Sequence, residues 1–357
     1  MASRREGEER SGAARMLELI LSMPEEWERA VVEYENVDLP SRGAYSAPKS
    51  VVVVGMGGSA IAGDIVYDYL YDELSVPYAV FRDFSVPGWV RGDSLVVAVS
   101  YSGNTEETLR ALKIARDRGA AIVLVTSDGL MMKLAEKHGL PVFGLPSGRP
   151  PRTAVAYMTA ALLWTLDKSG VHEFPRASAA EAATALRDAR REIMESDNLK
   201  NIAKALANKT LLIYSYRPYY SVGFRLKTQV NENAKSHAFW MPIPEANHNE
   251  IMGWEGGEKR DLAVVFVRGS EEPDYVSVRI EYWLTLLNSL GVPYFEIIAR
   301  KRDRLSELLS LIFKADMLSY YLAIERGVDP LPVTTISGLK RFVEERTGFS
   351  KRFSELI

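Results

Sequence analysis

Past residue 50 the chain alternates short apolar, β-branched runs with longer stretches of helical periodicity, the sequence form of a parallel sheet covered by helices. Ser50–Val54 (SVVVV) is continuous rather than alternating, as a strand buried on both faces must be. It runs into GMGGSA and then an apolar helix pattern through Tyr69. Tyr78–Arg82, Ser94–Ser100, Ala121–Thr126 and Leu140–Phe143 are the further strands expected in this half. A helix starting near Thr105 turns Leu109, Leu112 and Ile114 inward, and Thr153–Leu166 reads as a buried helix.

At residues 167–177 the pattern breaks into DKSGVHEFPRA, a polar turn with Gly and Pro and the candidate linker. Beyond it Ser178–Met194 is an Ala-rich amphipathic helix with Arg on its outer face. Strands are then expected at Leu211–Ser215, Leu262–Val267 and Tyr294–Ala299, with helices at Tyr220–Lys235, Ser277–Ser289 and Leu305–Ile324. A last helix covers Ile336–Arg346. Two α/β halves follow one another, alike in topology and without a residue-level repeat.

The length, 357 residues, suits two domains, and 47% hydrophobic with 25% charged residues is an ordinary globular balance. A net charge of -3 gives no footprint for gripping a phosphate backbone, so no nucleic-acid partner is expected. The absence of cysteine excludes disulfides, thiol nucleophiles and iron–sulfur clusters. One glutamine, Gln229, amid many Arg and Glu is the balance of a heat-exposed protein. The longest apolar run, Ala154–Leu166, is shorter than the ~18 residues a spanning helix needs, so no membrane is expected. Glu6, Glu8 and Glu9 argue against a transit peptide, and Glu18 interrupts any secretory core. Residues 1–12 are therefore expected as a solvated tail on a cytoplasmic protein.

Chemistry enters with two loops. Gly55-Met56-Gly57-Gly58-Ser59-Ala60 lies between strand and helix, where backbone N–H groups and a helix N-terminus can hold an anion. Gly55, Gly57 and Ala60, with Asp83 near the end of the next strand, also satisfy a dinucleotide fingerprint, so this loop alone leaves both ligands open. The second loop is Ser100-Tyr101-Ser102-Gly103-Asn104-Thr105, again after a strand. Helix capping needs one hydroxyl, whereas Ser100, Ser102 and Thr105 supply three around one helix start. Together the loops favour a phosphate monoester over a dinucleotide.

The strand–GMGGSA and VSYSGNTEET strings, followed by a second α/β half, resemble the sugar-isomerase (SIS) fold, whose members bind phosphosugars. Glu232 in VNENAKSH, followed by His248 in PEANHNE, is similar to one branch of that fold, the bifunctional phosphoglucose/phosphomannose isomerases. Read without the resemblance, Glu232 is a helix glutamate pairing with Lys235, and His138, His172 and His237 are surface or helix-end histidines. The resemblance implies an α/β fold of two consecutive SIS-type, flavodoxin-like domains, each a mainly parallel sheet covered by helices, plus a C-terminal helix. The expected divisions are 13–172, 173–330 and 331–357.

The resemblance also implies roles. Gly57, Gly58 and Ser59 correspond to the family's glycine loop, and Ser100, Ser102 and Thr105 to its phosphate loop. Arg152 in GRPPRTA corresponds to the arginine that steadies the intermediate's negative charge, and Glu232 to the base that moves a proton between C1 and C2. His248 corresponds to a ring-opening histidine reaching in from the other subunit of a homodimer, and Lys340 to a lysine assisting it. Thr334 or Thr335 would admit the mannose epimer. Such chemistry needs an acid/base, one carboxylate and a cation beside an enediolate, and no cofactor. His248 and Glu250 do not share a helix face and no other histidine lies nearby, so no metal is expected. The alternatives are another phosphosugar isomerase of the fold, a nicotinamide-dependent oxidoreductase and a phosphosugar sensor.

Overall fold

The valines at 51–54 offer water no polar face, so they are stable only as a strand covered on both sides. The computed structural model describes residues 12–256, 259 and 261–356, and it places that run as an interior strand of a five-stranded parallel sheet. The strands are β1 (Ser50–Gly55), β2 (Tyr78–Phe81), β3 (Ser94–Val99), β4 (Ala121–Thr126) and β5 (Val142–Gly144), in the order β2-β1-β3-β4-β5. β1, β3 and β4 are buried along their whole length. A second parallel sheet contains β6 (Thr210–Ser215), β7 (Ala238–Pro242), β8 (Leu262–Arg268) and β9 (Tyr294–Ile298), in the order β7-β6-β8-β9. Both sheets thus share one strand order. In each, the order reverses beside the central strand, between β1 and β3 and between β6 and β8, and open α/β sheets bind ligands at such a reversal.

The helices before the second sheet are α1 (Gly12–Leu21), α2 (Met23–Tyr34), α3 (Gly57–Tyr69), α4 (Glu106–Asp117), α5 (Gly129–His138), α6 (Val155–Lys168), α7 (Arg176–Glu195) and α8 (Asn198–Leu206). Those after it begins are α9 (Tyr220–Asn233), α10 (Ile243–Ala246), α11 (Asp274–Ser289), α12 (Arg304–Glu325), α13 (Thr334–Thr347) and α14 (Phe349–Leu356). Among the described residues no helix is long and apolar enough to cross a membrane.

The chain divides into two compact units, though not at the expected residues. One unit joins Pro24–Ala183 to residues 334–356, and the other joins residues 12–23 to Thr184–Val333. The break falls inside α7, not at 172/173. Residues 167–177, expected as a linker, are packed into the first unit: Phe174 is buried edge-on against Trp27 and Trp164, and the Trp27 indole donates to the Ala179 carbonyl at 2.9 Å. His172 is accordingly not a surface residue; it is half-buried, 3.9 Å from Glu73.

Both termini cross over. α1 buries Met16, Leu19 and Ile20 in the second sheet's unit, where the Arg190 guanidinium donates to the Leu21 carbonyl at 2.8 Å. α14 sends Phe349 and Phe353 into the first sheet's core beside Leu109 and Leu112. An amphipathic pattern shows which face is buried and not what covers it, so sequence order misplaced both. The tail expected over residues 1–12 falls outside the described residues, except that Gly12 already opens α1.

Candidate active site

In the first unit, both loops singled out by sequence stand at the β1/β3 reversal. The chain leaves β1 through Met56 in extended conformation and enters α3 at Gly57, whose φ of +51 lies where side chains are strained. The next glycine has another reason: a β-carbon on Gly58 would sit 2.9 Å from the Cα of Arg152. The short turn Pro151–Thr153 therefore runs directly against the glycine loop, and Arg152 is buried there. Arg149 holds the same turn, its Nε donating to Thr153 Oγ1 at 3.0 Å while its guanidinium pairs with Glu26.

The two loops are tied to each other. The backbone N–H of Tyr101 donates to Ser59 Oγ at 3.3 Å, and both residues are buried. Ser100 Oγ donates to Thr105 Oγ1 at 2.9 Å, and the Asn104 N–H donates to Ser102 Oγ at 3.3 Å. Thr105 occupies the N-cap of α4 without making a side-chain capping bond, so capping does not account for the three hydroxyls. Glu106 and Glu107 in the first turn suit the helix dipole. Asp83 has a local use, accepting from the Phe84 N–H at 2.6 Å as a turn residue.

Tyr101 was not singled out by sequence reasoning. Its hydroxyl donates to the Pro146 carbonyl at 2.7 Å and accepts from the Arg149 N–H at 3.2 Å. Burial raises the pKa of this phenol, keeping it a donor. One side chain thus fastens the serine loop to the segment that carries Arg152. The available signal was an aromatic set between two serines immediately after a buried strand.

Glu232 and His248 lie in the second unit. Glu232 is half-buried on the last turn of α9. That helix carries Arg225, Gln229 and Asn233 one turn apart on a single buried face. Arg225 donates to both Asp316 oxygens, at 2.8 and 2.6 Å, and the Gln229 amide donates to Asp316 Oδ1 at 2.8 Å. Asn233 donates to Ser319 Oγ at 2.9 Å. This polar ladder between α9 and α12 fixes how α9 is turned and therefore where Glu232 points.

The helix stops short of the expected Lys235. Lys235 is the non-glycine residue with positive φ among those described, at 52°. Its ammonium donates to the carbonyls of Glu232, Pro330 and Pro332, the last at 2.9 Å, joining the end of α9 to the segment that leads into α13. His248 is exposed in the loop after α10, its N–H bonded to the Glu245 carbonyl at 2.9 Å. Thr334 and Thr335 open α13 and Lys340 lies further along it, all exposed. The structure thus brings Gly57, Gly58, Ser59, Ser100, Ser102, Thr105 and Arg152 together in the first unit; Glu232 and His248 belong to the second. No cluster of three His, Asp or Glu side chains fit for a metal occurs among the described residues.

Two parallel sheets of one strand order, with an anion-type loop pair at the reversal of the first, define a protein of two SIS domains. The comparisons agree: residues 45–135 match the SIS domain, and residues 195–343 match the bacterial phospho-glucose isomerase C-terminal SIS domain. The chain is 34% identical over 339 residues to the bifunctional phosphoglucose/phosphomannose isomerase of Caldicellulosiruptor bescii, covering 92% of this chain and 99% of that one. It belongs to the bifunctional phosphoglucose/phosphomannose isomerase family. A D-glucosamine-6-phosphate 4-epimerase of Sulfolobus acidocaldarius is 35% identical over 228 residues, 64% of this chain and 70% of that one. Among solved structures, the C-terminal domain of glucosamine-fructose-6-phosphate aminotransferase from Francisella tularensis shares the fold with a TM-score of 0.69 at 17% identity, covering 89% and 98% of the two chains.

Proposed function

We propose that the chain interconverts glucose 6-phosphate and mannose 6-phosphate with fructose 6-phosphate through an enediolate, without a metal or cofactor. The observation that carries this reading is the pair of loops at the β1/β3 reversal, tied by the Tyr101–Ser59 bond and backed by Arg152. The substrate phosphate binds the hydroxyls of Ser59, Ser100, Ser102 and Thr105 and the N-termini of α3 and α4. Binding energy from that remote group positions the reacting carbons. His248 opens the sugar ring, assisted by Lys340. Glu232 takes the proton from one carbon and returns it to its neighbour. Arg152, charged at any working pH, balances the enediolate oxygen. Thr334 or Thr335 faces C2 and accepts either epimer.

The working form is a cytoplasmic homodimer in which His248 acts across the interface. An apolar stripe on α11 supports a second copy as partner: Tyr275, Val278 and Tyr282 are 69%, 60% and 62% exposed on one face. Activity that persisted on dilution to monomers would refute this arrangement.

Glu232→Gln tests the chemistry. The variant should lose turnover of both aldoses while retaining phosphosugar binding, because the amide keeps the volume and cannot accept the proton. Turnover near the parent's would remove Glu232 as the base.

A further inference from the structure

The second sheet repeats the first closely enough for positions to be matched. Gly55 pairs with Val99 at the end of β1, and Ser215 pairs with Val267 at the end of β6. Counting onward from these pairs, Ser59 corresponds to Tyr219 and Ser102 to Ser270. The helices α4 and α11 begin at corresponding residues, Glu106 and Asp274. Two of the hydroxyl positions of the first sheet's loops, Ser59 and Ser102, are thus hydroxyl side chains again in the second, Tyr219 and Ser270, whereas Thr105 corresponds to Pro273.

Those donors already hold an anion. The carboxylate of Glu307, in the first turn of α12, is buried at the β6/β8 reversal. Its Oε2 accepts from the Tyr219 hydroxyl at 2.5 Å and from the Ser270 N–H at 3.4 Å. Its Oε1 accepts from Ser270 Oγ and from the Arg302 N–H at 3.3 Å. Four donors from three segments converge on one oxyanion, as they would on a phosphate. None of these residues is used by the proposed chemistry.

We infer that the second sheet carries a second oxyanion pocket of the phosphate-binding kind, and that Glu307 closes it as a built-in ligand. The chain therefore offers phosphate one open site instead of two. Removing the carboxylate takes the acceptor from the buried Tyr219 hydroxyl and from half-buried Ser270, so the emptied pocket takes up a free oxyanion.

Inorganic phosphate is the probe, with full-length protein and equilibrium dialysis. Glu307→Ala should bind one more phosphate per chain than the parent, and phosphate should raise its Tm by more than it raises the parent's. Glu307→Gln, which fills the same space, should bind no more phosphate than the parent. Should Glu307→Ala melt too low to assay alone, refolding that depends on phosphate and not on chloride is the expected result. Equal phosphate binding by parent and a folded Glu307→Ala, or an alanine variant indifferent to phosphate, would overturn the inference. A parent that bound no phosphate would count against the first-sheet site alone, since this test reads the difference between variant and parent.

Discussion

The backbone of Arg152 passes beneath Gly58 so closely that a β-carbon there would lie 2.9 Å from the arginine Cα and 3.2 Å from its nitrogen. Neither neighbour is a flexible side-chain end, so the turn would have to move. Gly58→Ala should therefore displace Arg152, costing about 1–3 kcal/mol of stability and about 100-fold in kcat/KM. Steady-state kinetics beside urea unfolding would check this; parental kcat/KM would show that the contact is not needed.

Lys235 combines an unfavourable backbone with three carbonyl contacts. Lys235→Met keeps the left-handed strain and loses the ammonium, whereas Lys235→Gly loses both. The glycine variant should be the more stable of the two by about 1 kcal/mol, and both should show a lower kcat with little change in KM because the end of α9 is loosened beside Glu232. Urea midpoints and kinetics of the pair decide it, and a methionine variant more stable than the glycine one would contradict the strain.

The Arg225–Asp316 pair is almost wholly buried. Taking away one partner strands a charge, so Arg225→Met or Asp316→Leu alone should cost about 3–5 kcal/mol. The double variant should be less damaged than the sum of the two single variants, as a double-mutant cycle by chemical denaturation would reveal. Additive losses would mean that the two residues act separately.

Burial, as the largest cause, pushes the phenols of Tyr34, Tyr214, Tyr216 and Tyr219 far above the ordinary value of 10.0. The folded chain keeps these protons while the unfolded chain releases them, so their contribution is whole below about pH 10 and falls as pH rises further. Tm should therefore decline above that pH, with tyrosinate absorbance growing together with unfolding. Ionisation of these residues in a chain that stays folded would refute the burial argument.

Much of this was legible in the sequence. The valine run and the two loops announced β1, β3 and the helices after them, because buried parallel strands and glycine turns leave strong local patterns; the reversal between them, a matter of sheet order, did not show. β7 did not, since Ala238–Pro242 is a short edge strand ending in proline with only its first residue buried. Gln229 drew notice only as a count of one; its place on the buried ladder to Asp316 needs α12, which lies far along the chain. The exchange of α1 and α13–α14 between units was equally hidden, because periodicity marks an apolar face and not its partner.

The central claim is isomerisation of two epimeric aldose phosphates by one metal-independent site. Its most direct test is to assay the purified chain, with a chelator present, for conversion of glucose 6-phosphate and of mannose 6-phosphate to fructose 6-phosphate. Turnover of both substrates, lost together in Glu232→Gln, is the expected result. Turnover of neither by folded protein would contradict the account.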